Sequence, residues 1–260
     1  MIRGIQTAMG GMRAHLDRED VVARNLDNIL TPGYKEEAGA IDGFAATLSR
    51  VESRSVDSPT RLAMSATAIG SLGVETAMDR VSVNFRQGPL EETHRPLDVA
   101  LVGDGFLQAM TPQGPMFFRG GPLYRDADSK LVTSEGYPVL DSNGQDLVLR
   151  GNVVSIAPNG AITVDNKPAG NLSLVEFAPG TELSKVGDEF YTPDSPSAPL
   201  PVAATNTTVK QGYLEGSNVD EVSAMTELVS LVRAYQASQR MLQAEDELLG
   251  KAVNDVGRVA

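Results

Sequence analysis

Apolar residues recur every seven positions at both ends of this chain, and no other feature constrains the fold as much. At the start, Ile2, Met9, Leu16, Ala23 and Leu30 hold one position and Ile5, Met12 and Leu26 the other, with Glu19 the exception. At the end, Leu228, Tyr235, Leu242, Leu249 and Val256 recur, with Met225, Val232 and Val253 in the partner position and interruptions at Gln239 and Asp246. Two apolar positions per seven residues form the narrow seam of a coiled-coil-like helix. The first helix is predicted to stop at Thr31-Pro32-Gly33, because proline disfavours helical geometry in the residue before it and glycine supplies the turn. Asn218 with Glu221 three residues on resembles a capping box at the start of the second helix.

Between the helices the pattern changes to short runs rich in Val, Leu and Phe, broken by Asp104-Gly105, Gly120-Gly121-Pro122, Asn143-Gly144, Asn159-Gly160 and Ala178-Pro179-Gly180. Such punctuation predicts strands near 97–102, 106–110, 116–119, 131–133, 137–140, 146–149, 153–157, 161–164 and 172–177. Two stretches read as linkers, 53–73 with its Ser, Thr and Ala content and 194–208 with Pro196, Pro199 and Pro201. The expected fold class is mixed α and β, with long N- and C-terminal helices flanking an all-β central domain. The expected segments are 1–36 (helix), 37–79 (extended connection), 80–192 (β domain), 193–217 (return linker) and 218–260 (helix).

A seam at each end has two readings. The helices either pair with each other in one molecule, as an antiparallel hairpin, or pack against other molecules. Three features favour the second. Gly10-Gly11 lies within the first seam and each glycine costs a helix interior about 1 kcal/mol relative to alanine, so that helix needs a partner. Gly4, Ala8, Gly11 and Ala14 permit close approach of neighbours. A narrow stripe also buries too little area to hold a long helix on a globular domain. The candidate assembly interface is therefore Ile5, Met9, Met12, Leu16, Leu26, Leu228, Val232, Tyr235, Leu242 and Leu249.

Bulk properties exclude several classes. A net charge of −12 argues against nucleic acid, which requires clustered Lys and Arg. The absence of cysteine removes disulfides, thiolate nucleophiles and Cys-ligated metals. No run approaches the roughly 18 consecutive apolar residues of a membrane span. Residues 1–9 lack the unbroken apolar core and cleavage site of a secretory signal.

Four blocks, in order, resemble the flagellar rod and hook protein family: the segment from Asp20 through Asn25-Leu26-Asp27-Asn28 to Thr31-Pro32-Gly33-Tyr34-Lys35, then Leu97 to Phe106, Leu131 to Leu140, and Gln211 to Val219 followed by Arg233-Ala234-Tyr235-Gln236-Ala237. Within that family, the length, Met1-Ile2-Arg3-Gly4 and a single β domain look most like the distal-rod type, then the proximal-rod type; the longer hook proteins fit less well. The resemblance implies a structural axial subunit that leaves through the flagellar export apparatus without a cleaved signal. It implies helical stacking on copies of itself and on neighbouring rod and hook proteins, terminal helices innermost, to transmit torque. This sequence departs from the family pattern at Arg24, Asp27 and Leu30.

Asn25 and Asn28 are expected to cap or bridge backbone groups at the helix end, and Pro32 and Gly33 to shape the turn. Tyr34 packs against a neighbour or the C-terminal helix, or is buried in its own chain. Asn218 is expected to cap the second helix. No catalytic, cofactor-binding or metal-binding residue is assigned. His15 and His94 do not make a triad, and Asp126-Ala127-Asp128-Ser129 lacks the remaining oxygens of a calcium loop. The rivals of another class are a cell-wall hydrolase, for which Glu91-Glu92 or Asp188-Glu189 would supply the carboxylates, and a carbohydrate-binding module, which the lack of tryptophan disfavours.

Overall fold

A computed structural model of the chain describes residues 2–42, 77–187, 189–195 and 198–257. The linker read at 53–73, Asp188 and Pro196 lie outside the described residues, as do the side chains of Ile2, Ile5, Val253 and Val256. The chain opens with α1 (Ile2–Asp27) and closes with α2 (Glu221–Gly257). Between them run β1 (Glu37–Asp42), β2 (Ala77–Val83), β3 (Leu90–Glu92), β4 (Asp98–Val102), β5 (Phe106–Thr111), β6 (Gly114–Phe118), β7 (Gly120–Pro122), β8 (Tyr124–Arg125) and β9 (Leu131–Val132). They are followed by β10 (Val154–Ile156), β11 (Ala161–Val164), β12 (Lys167–Asn171), β13 (Leu174–Glu176), β14 (Leu183–Val186), β15 (Phe190–Pro193), β16 (Val202–Ala203), β17 (Thr208–Gln211) and β18 (Tyr213–Glu215).

Two units divide the chain. One comprises Met1–Asp20, Gly39–Arg80 and Glu227–Ala260; the other comprises Val21–Ala38 and Val81–Thr226. In the first, Arg18 Nε donates to Glu227 Oε1 at 2.6 Å, so α1 and α2 meet there. In the second, a six-stranded sheet ordered β14-β15-β6-β5-β13-β16 lies beside a three-stranded sheet β17-β4-β7 and a three-stranded meander β10-β11-β12.

Alternation along the strands accounts for the core. Successive side chains of a strand point to opposite faces, and β5 and β6 each send buried side chains to both. Leu107, Ala109 and Phe118 join Val99, Leu101, Leu131, Val139, Leu149 and Ile162 in the larger cluster. Phe106 and Phe117 point the other way, with Tyr191 and Val175, and are covered by Val83, Phe85 and Phe177. Ring pairs there are edge-to-face at 4.8–5.9 Å, the arrangement that the aromatic quadrupole favours.

Two expectations need correction. The segment 193–217 is not a free return linker. Its residues form β16 on β13, β17 on β4 and β18 on β3. Pro199 and Pro201 both precede the two-residue edge strand β16, where a missing N–H is tolerated. The runs near 137–140 and 146–149 form isolated bridges instead of strands.

Candidate functional site: the helix seams and the buried junction

The first helix ends earlier than Thr31, at Asp27, and the cause is Asn28. Its Nδ2 donates to the Arg24 carbonyl at 3.0 Å, and its Oδ1 accepts from Thr31 Oγ1 at 3.1 Å. An asparagine side chain that hydrogen-bonds the backbone competes with continued helix. Gly33 then takes φ 75°, open to glycine without strain, and its N–H donates to the Glu215 carbonyl at 2.6 Å. Pro32 lies in this turn.

Asn25 bridges the helix end to β1. Its Nδ2 donates to the Glu37 carbonyl at 2.7 Å, while its Oδ1 accepts from the Glu37 N–H at 2.9 Å and from the Tyr34 hydroxyl at 3.1 Å. Tyr34 is buried within its own chain, with Lys185 Nζ 3.4 Å from its ring centroid. Arg24 donates to Glu37 Oε2 at 3.1 Å, and Lys185 lies 3.6 Å from the other oxygen of the same carboxylate.

Deeper in the junction is an ionic cluster that the sequence reading missed. Lys35, Glu215 and Arg119 are all buried. Lys35 Nζ donates to Glu215 Oε1 at 2.6 Å and to the Arg86 carbonyl at 2.8 Å. Glu215 Oε1 also accepts from the Gly88 N–H at 2.9 Å, and Glu215 Oε2 lies 3.8 Å from Arg119 Nη2. Arg119 donates to the carbonyls of Gly105 and Gly103 at 2.6 and 2.7 Å. Burial pushes the pKa of both cations down, and the Glu215 carboxylate opposes it. Burial likewise raises the Tyr191 phenol well above its ordinary value. The signal was present: Lys35 and Glu215 are charges embedded in two of the resemblance blocks, between residues that pack. Spacing alone does not pair residues 180 positions apart.

Asn218 does not cap α2. Its Nδ2 donates to the carbonyls of Asn84 and Arg86, and its Oδ1 accepts from the Glu36 N–H, so it joins three segments of the junction. The cap is Asp220, whose carboxylate accepts from the Val222 N–H at 3.2 Å and from the Ser223 hydroxyl at 2.6 Å.

The seam residues are distributed unequally. Along α1 the buried side carries Gly10, Ala14, Val21 and Asn25, whereas Met9, Leu16 and Ala23 are exposed and Met12 and Leu26 half-buried. Met9 is 59% and Leu16 43% exposed, against 1% for Ala14. Stepping 100° per residue puts Met9, Leu16 and Ala23 on a stripe across the helix from Gly10, Ala14 and Val21. On α2 the seam residues Leu228, Val232, Tyr235, Leu242 and Leu249 are half-buried and the seam residue Met225 is exposed, as are Val222 and Val229 outside the seam. Of Ile5 only its place in α1 is described.

Glu91 and Glu92 are neighbours on β3, paired with β18, and His94 lies 3.3 Å from Glu92 on the surface. Among the described residues no group of three or more His, Asp or Glu is disposed to hold a metal ion, and no helix is long and apolar enough to cross a membrane.

Residues 210–255 match the family described as the flagellar basal body rod FlgEFG protein C-terminal region, and residues 100–174 match the flagellar hook protein FlgE/F/G D1 domain. The chain is 32% identical to the flagellar basal-body rod protein FlgG of Agrobacterium fabrum, over 95% of its own length and 97% of the relative's. It is 31% identical to the rod protein FlgF of Caulobacter vibrioides, over 92% of each chain. It is 29% identical to the hook-basal body complex protein FlhO of Bacillus subtilis, over the whole of both.

Proposed function

Because the chain belongs to the flagellar basal-body rod and hook family, we propose that it is an axial structural subunit of the rod, of the distal type, polymerising through its terminal helices to carry torque to the hook. The observation that carries this reading is the exposed seam of α1. An apolar seven-residue repeat is presented outward at Met9 and Leu16 while the opposite face of the same helix is buried. Burying exposed apolar area yields about 25 cal/mol per Å², and a seam that repeats on every copy offers that gain to neighbours. Its partners are then copies of itself and adjoining rod and hook proteins, reached through the export apparatus, in the basal body that crosses the periplasm and wall. No cofactor enters this role.

The distal assignment rests on Met1-Ile2-Arg3-Gly4, the chain length and the single central β region. The proximal-rod type is the second reading, because relatives of both names match almost equally well. A tag on this chain, located in basal bodies by electron tomography, separates the two: density next to the hook supports the distal reading, and density at the membrane-proximal end replaces it.

Assembly itself is tested by concentrating the full-length protein and Leu16→Asp side by side. Electron microscopy should show ordered polymer for the first and none for the second, with equal melting of the two monomers. Equal polymerisation of both chains removes the α1 seam from the mechanism.

A further inference from the structure

We infer that Glu215 is a shared counter-ion that makes the docking of the two ends of the chain conditional on each other, so that the segment after α1 and the segment before α2 lock onto the β core in one step or not at all.

Lys35 lies eight residues beyond the end of α1, Arg119 between β6 and β7, and Glu215 at the end of β18, six residues before α2. Each is at most 2% exposed. Among the described residues Glu215 is the carboxylate paired with both cations, at 2.6 Å from Lys35 and 3.8 Å from Arg119. An ammonium or guanidinium taken out of water without a counter-charge is strongly unfavourable, whereas a paired and hydrogen-bonded one is tolerated. The segment carrying Lys35 therefore cannot dock before β18 is in place. In turn, Glu215 docking without Lys35 leaves the carboxylate short of its closest partner.

The backbone repeats the same dependence. The Gly33 N–H donates to the Glu215 carbonyl, the Glu36 N–H to Asn218, and the Gly216 N–H to the Pro89 carbonyl at 2.7 Å. Gly88 and Gly216 approach so closely that a Cβ on Gly88 would overlap the Gly216 carbonyl oxygen. Segments 31–37, 86–89 and 211–218 are thus joined by charge, by backbone bonds and by a side-chain-free contact. Their order along the chain makes the clamp a test of completeness, since a chain lacking β18 leaves Lys35 and Arg119 buried without their common partner. Taken with the proposed rod role, on which this last consequence alone rests, only a chain that has completed this clamp is competent to join the polymer.

Amide hydrogen exchange on the full-length monomer tests the clamp, using Glu215→Gln, Lys35→Met and the double variant. Glu215→Gln should speed exchange at Gly33, Glu37 and Gly216 together by about tenfold or more, leaving Leu131 and Val139 in the core unchanged. Lys35→Met should accelerate the same three amides, including Gly216 on the other segment. The double variant should exchange no faster than Glu215→Gln alone, because removing the ammonium removes the unpaired charge. Acceleration confined to the substituted segment, or strictly additive effects in the double variant, overturns the inference. Should Glu215→Gln fail to fold, Glu215→Asp, which keeps the charge one methylene shorter, should show the same joint acceleration to a smaller degree; separate responses of the two segments again overturn it. Polymer formation does not enter this readout, so the clamp and the rod reading fail independently.

Discussion

At the scale of single residues, the junction is where substitutions should act most strongly. Lys35→Met leaves the Glu215 carboxylate buried without its ammonium and should cost about 3–5 kcal/mol, read from the denaturation midpoint. Asp220 behaves differently because it is a surface cap. Its pKa is lowered, chiefly by the Ser223 hydroxyl and then by the amides of Val222 and Ser223. A carboxylate whose folded-state pKa lies below its ordinary value of 3.8 contributes stability above that pH and loses it as pH falls through the lowered value. The gap in melting temperature between wild type and Asp220→Ala should therefore be full at pH 7 and shrink below pH 3.8; a gap independent of pH would mean that the carboxylate is not the cap.

At the scale of the helix, α1 has two faces with separable roles. Ala14 lies on the buried face and is 1% exposed, so Ala14→Leu should destabilise the monomer by about 1–3 kcal/mol through overpacking. Leu16→Asp, two residues away on the exposed face, should leave monomer stability within about 0.5 kcal/mol of wild type and act on assembly instead. Thermal melts and sedimentation of the two variants separate the faces. If both variants melt early, the seam is part of the monomer's own packing. Gly10 follows the same logic as Ala14. It is buried, whereas its neighbour Gly11 is half-buried and a Cβ there would meet nothing within 4 Å.

At the scale of the whole molecule, net charge opposes association. With a formal charge of −12, copies repel one another over a distance set by salt. Raising ionic strength from about 0.01 M to 0.15 M shortens the Debye length from about 30 Å to about 8 Å, so polymerisation followed by light scattering should accelerate over that range. Slower assembly with salt would point to ion pairs, and not the apolar seam, as the contact between subunits.

The two helices, the β-rich middle and the turn at Thr31-Pro32-Gly33 are legible in the residue pattern alone, because seven-residue repeats and turn residues act through local geometry that a one-dimensional pattern records. It also marked Asn25 and Tyr34 as residues of the helix end. Contacts made in the fold settle the rest: Asn28 stops α1 at Asp27, Asn218 ties its own segment to Glu36 and to the Asn84–Arg86 stretch while Asp220 caps α2, and 193–217 is built into the sheets. The pairing of Lys35 with Glu215 belongs to the same group. Two-residue strands and edge prolines carry almost no periodic signal, and a buried ion pair 180 residues apart has none. Which face of a heptad helix turns inward likewise depends on what lies beside it. On α1 the face that carries Gly10 and Ala14 is buried, whereas Met9 and Leu16 of the seven-residue repeat are exposed.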